Sequence, residues 1–205
     1  IYSDGGKVNA SELVKGMNTV KKEQVLIVGG LAGDGAKFEK TLVGLNTIPV
    51  QGKIVAVGFY GQKLMVSHGS LGGWESFGLE RIVTKAQSNV LYEIDGRNVL
   101  DLYKIYLGKY AEELPGSALL FPLSIKMEGL EEPIVRTILS IDETNQTMTF
   151  AGDVPEGSKV RFMKANFDRL IDAASGAALS CLAINSFTPA LALLISCVGR
   201  KLILG

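Results

Sequence analysis

Short runs of apolar residues, separated by glycines and polar clusters, recur along the chain and predict a series of β-strands. Residues 25–28 form an unbroken aliphatic run, which is typical of a strand buried on both faces. Other runs are bounded by turn residues and are rich in β-branched and aromatic side chains. They predict further strands within residues 53–60, 64–68, 81–94, 118–125 and 190–195.

Three segments have the spacing of amphipathic helices instead. Asn9 is a suitable N-cap for a helix that begins at residue 10, with Glu12 three residues after the cap. Apolar residues at helical spacing from 99 to 106, followed by Gly108, predict a second helix and its end. Asn166 is placed to cap a third helix, which continues through small residues to about residue 185.

The C-terminal half contains the clearest strand pattern. Extended segments at 134–141, 147–151 and 159–163 are separated by the turn sequences 142–146 and 153–157, which predicts an antiparallel meander. Helical and extended segments mix along the whole chain. The pattern therefore predicts an α/β or α+β fold, with mixed β-sheets flanked by helices and a meander in the C-terminal half.

Charge and composition remove several classes of function. Basic and acidic residues number 21 each, so the formal net charge is zero, and no positive field favours a nucleic-acid partner. No charged residue lies between Asp172 and Arg200, a length that could cross a bilayer. Because Ser, Asn, Thr and Pro interrupt this stretch, it predicts two buried elements and no membrane partner.

Cysteine use and the chain ends add two expectations. Cys181 and Cys197 are too few for a disulfide framework and suit a reducing compartment. The chain starts at Ile1 without a methionine and stops on an apolar run. We therefore expect further sequence at both ends.

The glycine-rich segment 29–35 follows an apolar run and raises the question of nucleotide binding. Gly30 and Gly35 have the spacing of a phosphate-binding loop, but Ala36 stands in the lysine position and no hydroxyl follows. Asp34 would also repel a phosphate. The segment is therefore interpreted as a structural turn.

Residues able to carry out catalysis or bind metal are few. His68 is the single histidine, and the cysteines have no zinc-site spacing, so we predict no metal site. Carboxylate pairs are interpreted as exposed charge, and no catalytic residue is predicted. An enzyme with Cys197 as nucleophile and a haem ligated by His68 remain as alternatives.

Two arginines lie in apolar surroundings. Arg136 is inside the strand predicted at 134–141, and Arg200 follows the segment 196–199. A guanidinium in such a place needs a carboxylate, which either the protein or a ligand can supply. The sequence leaves a structural salt bridge and a binding site both open.

Eight short segments, taken in order, resemble the FIST family of intracellular sensory domains. Each is weakly specific alone, but the order and spacing span almost the whole chain. The segments are residues 1–5 with 9–16, then 28–35, 83–86, 91–96, 121–123, 135–138, 152–158 and 196–200.

The resemblance implies an N-terminal region up to residue 90 and a C-terminal region over residues 91–205, both incomplete. It implies a cytoplasmic, bacterial, non-catalytic sensor of a small molecule such as an amino acid, with no cofactor. The output would be a histidine kinase, a chemotaxis transducer or a cyclic-dinucleotide enzyme. Some members are haem-containing nitric-oxide sensors, for which His68 is the ligand this chain offers. A homodimer and a scaffolding role remain as alternatives.

For an amino-acid ligand, charged residues at the ends of elements are the candidates. Arg136 or Arg200 could bind the carboxylate, and a carboxylate side chain could bind the ammonium group. The candidate ligand-binding residues are Arg136, Arg200, Asp95, Asp34, Asp153 and Cys197.

Overall fold

The computed structural model describes residues 1–22, 25–35, 37–127, 132–183 and 188–205. Within them lie two β-sheets and four α-helices, which confirms the predicted mixture. The strands are β1 (Tyr2–Asp4), β2 (Gly30–Ala32), β3 (Ile54–Val55), β4 (Trp74–Gln87), β5 (Val90–Ile94), β6 (Arg97–Asn98), β7 (Leu123–Lys126), β8 (Ile134–Arg136), β9 (Ile138–Asp142), β10 (Thr147–Phe150) and β11 (Lys159–Ala165). The α-helices are α1 (Ala10–Val20), α2 (Val99–Leu107), α3 (Phe167–Ala183) and α4 (Val198–Leu204), and two 3₁₀ helices span Gly108–Glu113 and Gly116–Leu120.

The smaller sheet has the order β2-β1-β3, with β1 parallel to β2 and antiparallel to β3. At the end of β1, the fully buried Asp4 carboxylate accepts hydrogen bonds from the Gly6 amide at 2.8 Å and the Gly52 amide at 2.7 Å. The Thr41 hydroxyl is a third donor. Burial alone would raise the pKa of Asp4, but these donors outweigh it and lower that pKa. One ionised carboxylate therefore ties three separate chain segments together.

The larger sheet has eight strands, and its main path runs β8-β7-β11-β4-β5-β10-β9, with β6 paired to β5. All its pairs are antiparallel. The antiparallel meander predicted in the C-terminal half is present at β9 and β10, whereas β11 pairs with β4 and β7. β8 and β9 lie at opposite ends of this path, yet only Thr137 separates them in the chain. The sheet must therefore curl until its two ends meet. We call the meeting place, formed by Arg136, Thr137 and Gly152, the seam.

The main core lies between α2 and the curled sheet. Leu100 and Tyr103 of α2 are fully buried, as are Leu91 and Phe150 on the strands they cover. The Tyr103 and Phe162 rings pack edge to face with centroids 4.9 Å apart. Each large apolar side chain buried here stabilises the fold by about 1.5–3 kcal/mol.

The predicted helix signals are confirmed. Asn9 caps α1 by accepting the Ser11 amide, and Gly108, with φ of 55°, follows the last residue of α2. Asn166 accepts the Arg169 amide in the first turn of α3. Residues 184–187, where α3 was predicted to end, lie outside the described residues.

Several strand predictions are wrong. Residues 25–28, 64–68 and 190–195 form no strand, and only Ile54–Val55 is extended within 53–60. Val25, Leu26 and Val28 are each more than 40% exposed. An apolar run supplies the side chains of a strand, but it forms one only where another strand accepts its backbone hydrogen bonds.

Two other strands differ in their bounds from the predicted ones, and the reasons are local. The strand predicted at 118–125 starts only at Leu123, because the residues before it form the 3₁₀ helix Gly116–Leu120 and Pro122 lacks an amide donor. The strand predicted at 134–141 breaks at Thr137, where the sheet closes. Among the described residues, no helix combines the length and apolar character needed to cross a bilayer.

We predict that Asp4→Ala lowers the free energy of unfolding by about 1–3 kcal/mol at pH 7, because three donors lose their acceptor and one of them, the Thr41 hydroxyl, is buried. The folded pKa of Asp4 is depressed, so its contribution is present above its ordinary pKa and is lost as the pH falls below about 4. Urea unfolding at several pH values measures both effects. Asp172→Ala, at an exposed position of α3, is the control. Equal losses in the two variants would contradict the prediction.

Candidate functional site

Arg136, at the end of β8, is a half-buried cation at the seam. Its Nε donates to the Asp153 carbonyl oxygen at 3.0 Å, and its Nη2 donates to Ser11 Oγ at 3.1 Å. None of the ion pairs within the described part of the chain includes Arg136. Burial lowers the pKa of the guanidinium, although the charge of Asp153 opposes that effect. The group remains charged at neutral pH, with hydrogen-bond acceptors but no bonded anion among the described residues.

The first turn of α1 covers the seam. Ser11 Oγ accepts a second hydrogen bond from the Asp153 amide at 2.9 Å, and Asn9 Nδ2 donates to Asp153 Oδ1 at 2.7 Å. The Ala10 amide donates to the Ala151 carbonyl oxygen at 3.3 Å. These bonds join residues more than 120 positions apart in the chain. We call Asn9, Ser11, Arg136, Gly152 and Asp153 the seam cluster.

Gly152 allows this close approach. A Cβ atom at this position would lie 2.7 Å from Ser11 Oγ and 3.0 Å from Arg136 Cζ. Any side chain at residue 152 would therefore have to displace the Ser11 hydroxyl or the guanidinium.

The seam cluster combines two charges of opposite sign. Arg136 supplies donors for a carboxylate, and Asp153 supplies an acidic oxygen, Oδ2, that accepts no hydrogen bond from the described residues. Two of the predicted ligand-binding residues are thus brought together here. A ligand that carries both an anionic and a cationic group matches this arrangement.

Arg200, in α4, occupies a different place. Its Nη1 donates to the Leu71 carbonyl oxygen at 2.8 Å, and its Nη2 donates to the Leu170 carbonyl oxygen at 3.4 Å. Arg200 therefore connects the segment before β4 to α3 through neutral acceptors. Cys197 is exposed immediately before α4 and makes no side-chain cap.

Asp95 lies in a two-residue turn between β5 and β6. Asp95 and Gly96 both have positive φ, 52° and 71°, as a type I′ hairpin turn requires. The Asp95 carboxylate accepts the Ile82 amide at 2.9 Å and forms an ion pair with Arg81 at 2.8 Å. The Ile82 amide and then Arg81 lower the pKa of Asp95. Its charge is thus already compensated within the chain.

Asp34 organises the glycine-rich segment. Its carboxylate accepts the amides of Phe38 at 3.1 Å, Glu39 at 2.8 Å and Lys40 at 2.8 Å. Burial would raise the pKa of Asp34, but the amide donors led by Lys40 outweigh burial and lower it. The Asp34 carboxylate therefore fixes the backbone that follows the glycine-rich segment, in keeping with the interpretation as a structural turn.

His68 is exposed, in a segment without regular secondary structure. The haem hypothesis, which depends on this residue, stays a prediction. Within the residues that the structure describes, no three His, Cys, Asp or Glu side chains group so as to hold a metal ion.

A shallow groove of about 820 Å³ lies elsewhere, along β5, β9 and β10. It includes Asp142, Glu143 and Tyr92, and no member of the seam cluster lines it. The Asp142 carboxylate accepts hydrogen bonds from Asn145, and Glu143 forms an ion pair with Lys104 at 2.9 Å. Because the charged groups of the groove already have partners, the seam cluster is the stronger candidate.

Sequence reasoning did not assign Ser11, Gly152 or Asn9 to a site. Asn9 carried a helix-capping signal, and Gly152 belonged to a segment of the family resemblance, but neither signal indicated a partner. Ser11 lay in a predicted helix start and in another segment of the resemblance, and neither indicated a partner. Their association depends on contacts across the fold.

Two family models match the chain. The FIST N domain model matches residues 1–97, and the FIST C domain model matches residues 100–205. No curated protein and no solved structure matches it. The resemblance drawn from the eight segments is confirmed. Asn9 and Ser11 come from the first matched region, and Arg136, Gly152 and Asp153 come from the second.

We predict that Arg200→Gln lowers the free energy of unfolding by about 1–3 kcal/mol, because two carbonyl oxygens lose a charged donor. The emission of Trp74, whose ring lies near Gly199, should change as well. Urea unfolding followed by tryptophan fluorescence measures both. Arg97→Gln, at an exposed position, is the control. An unchanged midpoint in Arg200→Gln would show that Arg200 does not hold α4 in place.

Proposed function

Because the chain belongs to the FIST family of signal-transduction sensory domains, we propose that it binds a small molecule at the seam cluster and catalyses no reaction. The ligand carries a carboxylate and is an amino acid or a similar metabolite. Its binding is passed to an output such as a histidine kinase, a chemotaxis transducer or a cyclic-dinucleotide enzyme.

The observation that carries this proposal is the state of Arg136. A half-buried cation has lost part of its hydration, and no described residue of the chain forms an ion pair with it in return. A ligand carboxylate would supply that partner through two parallel hydrogen bonds, which the planar guanidinium favours. Arg200 is a weaker candidate for binding a ligand carboxylate, because its two bonds to carbonyl oxygens hold elements of the fold together.

Asp153 supports an amino acid over a simple carboxylic acid. Its Oδ2 lies on the residue whose carbonyl oxygen accepts Arg136 Nε, so an ammonium group beside the bound carboxylate would find an acidic acceptor. Oδ1 is oriented by Asn9 at 2.7 Å. A ligand with both charges would therefore gain two charge-assisted contacts, and one without the ammonium group would gain a single contact.

The location of the cluster supports a role in signalling. It takes side chains from both matched regions, so an occupant would alter contacts between them. A ligand can shift a conformational equilibrium only through different interactions with the two states. Groups that hold the regions together and also bind the ligand meet that requirement.

We predict that an amino acid among a panel of amino acids and carboxylic acids raises the unfolding midpoint of the protein. At 100 times its dissociation constant, a ligand stabilises the native state by about 2.7 kcal/mol. For a domain of this size the midpoint should rise by roughly 5–10 °C. Thermal-shift measurements on the whole chain test this.

Arg136→Gln should abolish the ligand-induced rise, and Arg97→Gln should retain it. Asp153→Asn should weaken the response to amino acids more than the response to the matching deaminated acids. A rise that persists undiminished in Arg136→Gln would place the ligand elsewhere and would contradict the proposal.

A further inference from the structure

We infer that α1 docks reversibly on the seam through its first turn, and that a carboxylate bound by Arg136 releases it. This inference rests on the proposed function and assigns a regulatory role to the same site. In this mechanism the tip of α1 and the ligand compete for the same groups.

The body of α1 contributes little to its own attachment. None of its 11 residues is buried, and Val14 and Val20 are 51% and 83% exposed. An isolated helix shorter than about 12–15 residues is only marginally stable in water. Attachment of α1 to the larger sheet therefore depends on the polar contacts of its first turn.

Those contacts use the groups that the ligand would need. Ser11 Oγ accepts from Arg136 Nη2 and from the Asp153 amide, and Asn9 holds Asp153 Oδ1. A carboxylate that forms two parallel bonds with Arg136 would take Nη2 from Ser11. By linkage, docking of α1 weakens ligand binding by the same free energy by which the bound ligand weakens docking.

The rest of α1 can detach from the larger sheet once its first turn is released. Leu13 and Met17 are partly exposed on a face that also carries Val14 and Val20. Because no buried side chain must leave a core, undocking requires only that the first-turn contacts break. This low barrier distinguishes α1 from α2, which buries five residues.

Gly152 gives a test of docking that needs no ligand. Gly152→Ala would place a methyl group 2.7 Å from Ser11 Oγ and should displace that hydroxyl from its bonds to Arg136 and Asp153, which weakens docking of the tip. Ser11→Ala removes both bonds of the hydroxyl without adding bulk. Gly61→Ala, where the nearest atom is 3.8 Å from the added Cβ, is the matched control.

The experiment is amide hydrogen exchange of the whole chain at pH 7. In Gly152→Ala and Ser11→Ala, the amides of residues 14–20 should exchange at least tenfold faster, while amides in β5 and β11 keep their protection. Gly61→Ala should match the parent chain. Unchanged exchange in α1, or equal acceleration throughout the protein, would overturn the inference.

Coupling to a ligand is tested with sodium acetate as the carboxylate probe, against sodium chloride at equal ionic strength. Acetate should accelerate exchange in α1 of the parent chain but not of Arg136→Gln. It should also stabilise Ser11→Ala at severalfold lower concentration. If acetate raises the midpoint through Arg136 yet leaves α1 exchange unchanged, the inference fails and the proposed function stands. If neither acetate nor any amino acid of the panel binds, the proposed function fails, and the exchange of Gly152→Ala still reports on docking.

Discussion

The segment 134–142, which forms β8 and β9 with Thr137 between them, is the constraint on which the larger sheet depends. Its two halves pair at opposite ends of the sheet, so the eight strands have to curl until residues 136 and 138 meet at Thr137. The Thr137 carbonyl oxygen accepts the Ala151 amide at 2.9 Å, which brings residues 151–153 beside the bend. The guanidinium of Arg136 and the carboxylate of Asp153 become neighbours because the sheet closes there.

Two partly or fully buried charges illustrate how this fold treats ions. Asp4 is surrounded by amide and hydroxyl donors, and its pKa is lowered despite burial. Arg136 has neutral oxygen acceptors, and burial lowers its pKa. The first ion is compensated by the chain, whereas the second has no ion-pair partner among the described residues. That difference, together with the close approach allowed at Gly152, is why we propose the seam as the place where binding and helix docking are linked.

Local signals predicted the helices well and the N-terminal strands poorly. Asn9, Asn166 and Gly108 act within one turn of the helices they cap or end, so the sequence near each residue contains the whole interaction. The aliphatic run at 25–28 contains no such complete local interaction, because a strand needs a partner from elsewhere in the chain. In the C-terminal half, strands at 147–150 and 159–165 were found because alternation and turn residues agreed.

The sequence by itself determined the fold class, the three capped helices and the charged residues worth considering, since periodicity, capping and residue chemistry are local properties. It also contained, in eight ordered segments, the family to which the chain belongs. Only the tertiary structure decided which charges already have partners, as Asp95 and Asp34 do, and which do not. It alone joined Ser11 to Asp153, because contacts between residues 142 positions apart depend on how the sheet curls and leave no trace in the sequence around either residue.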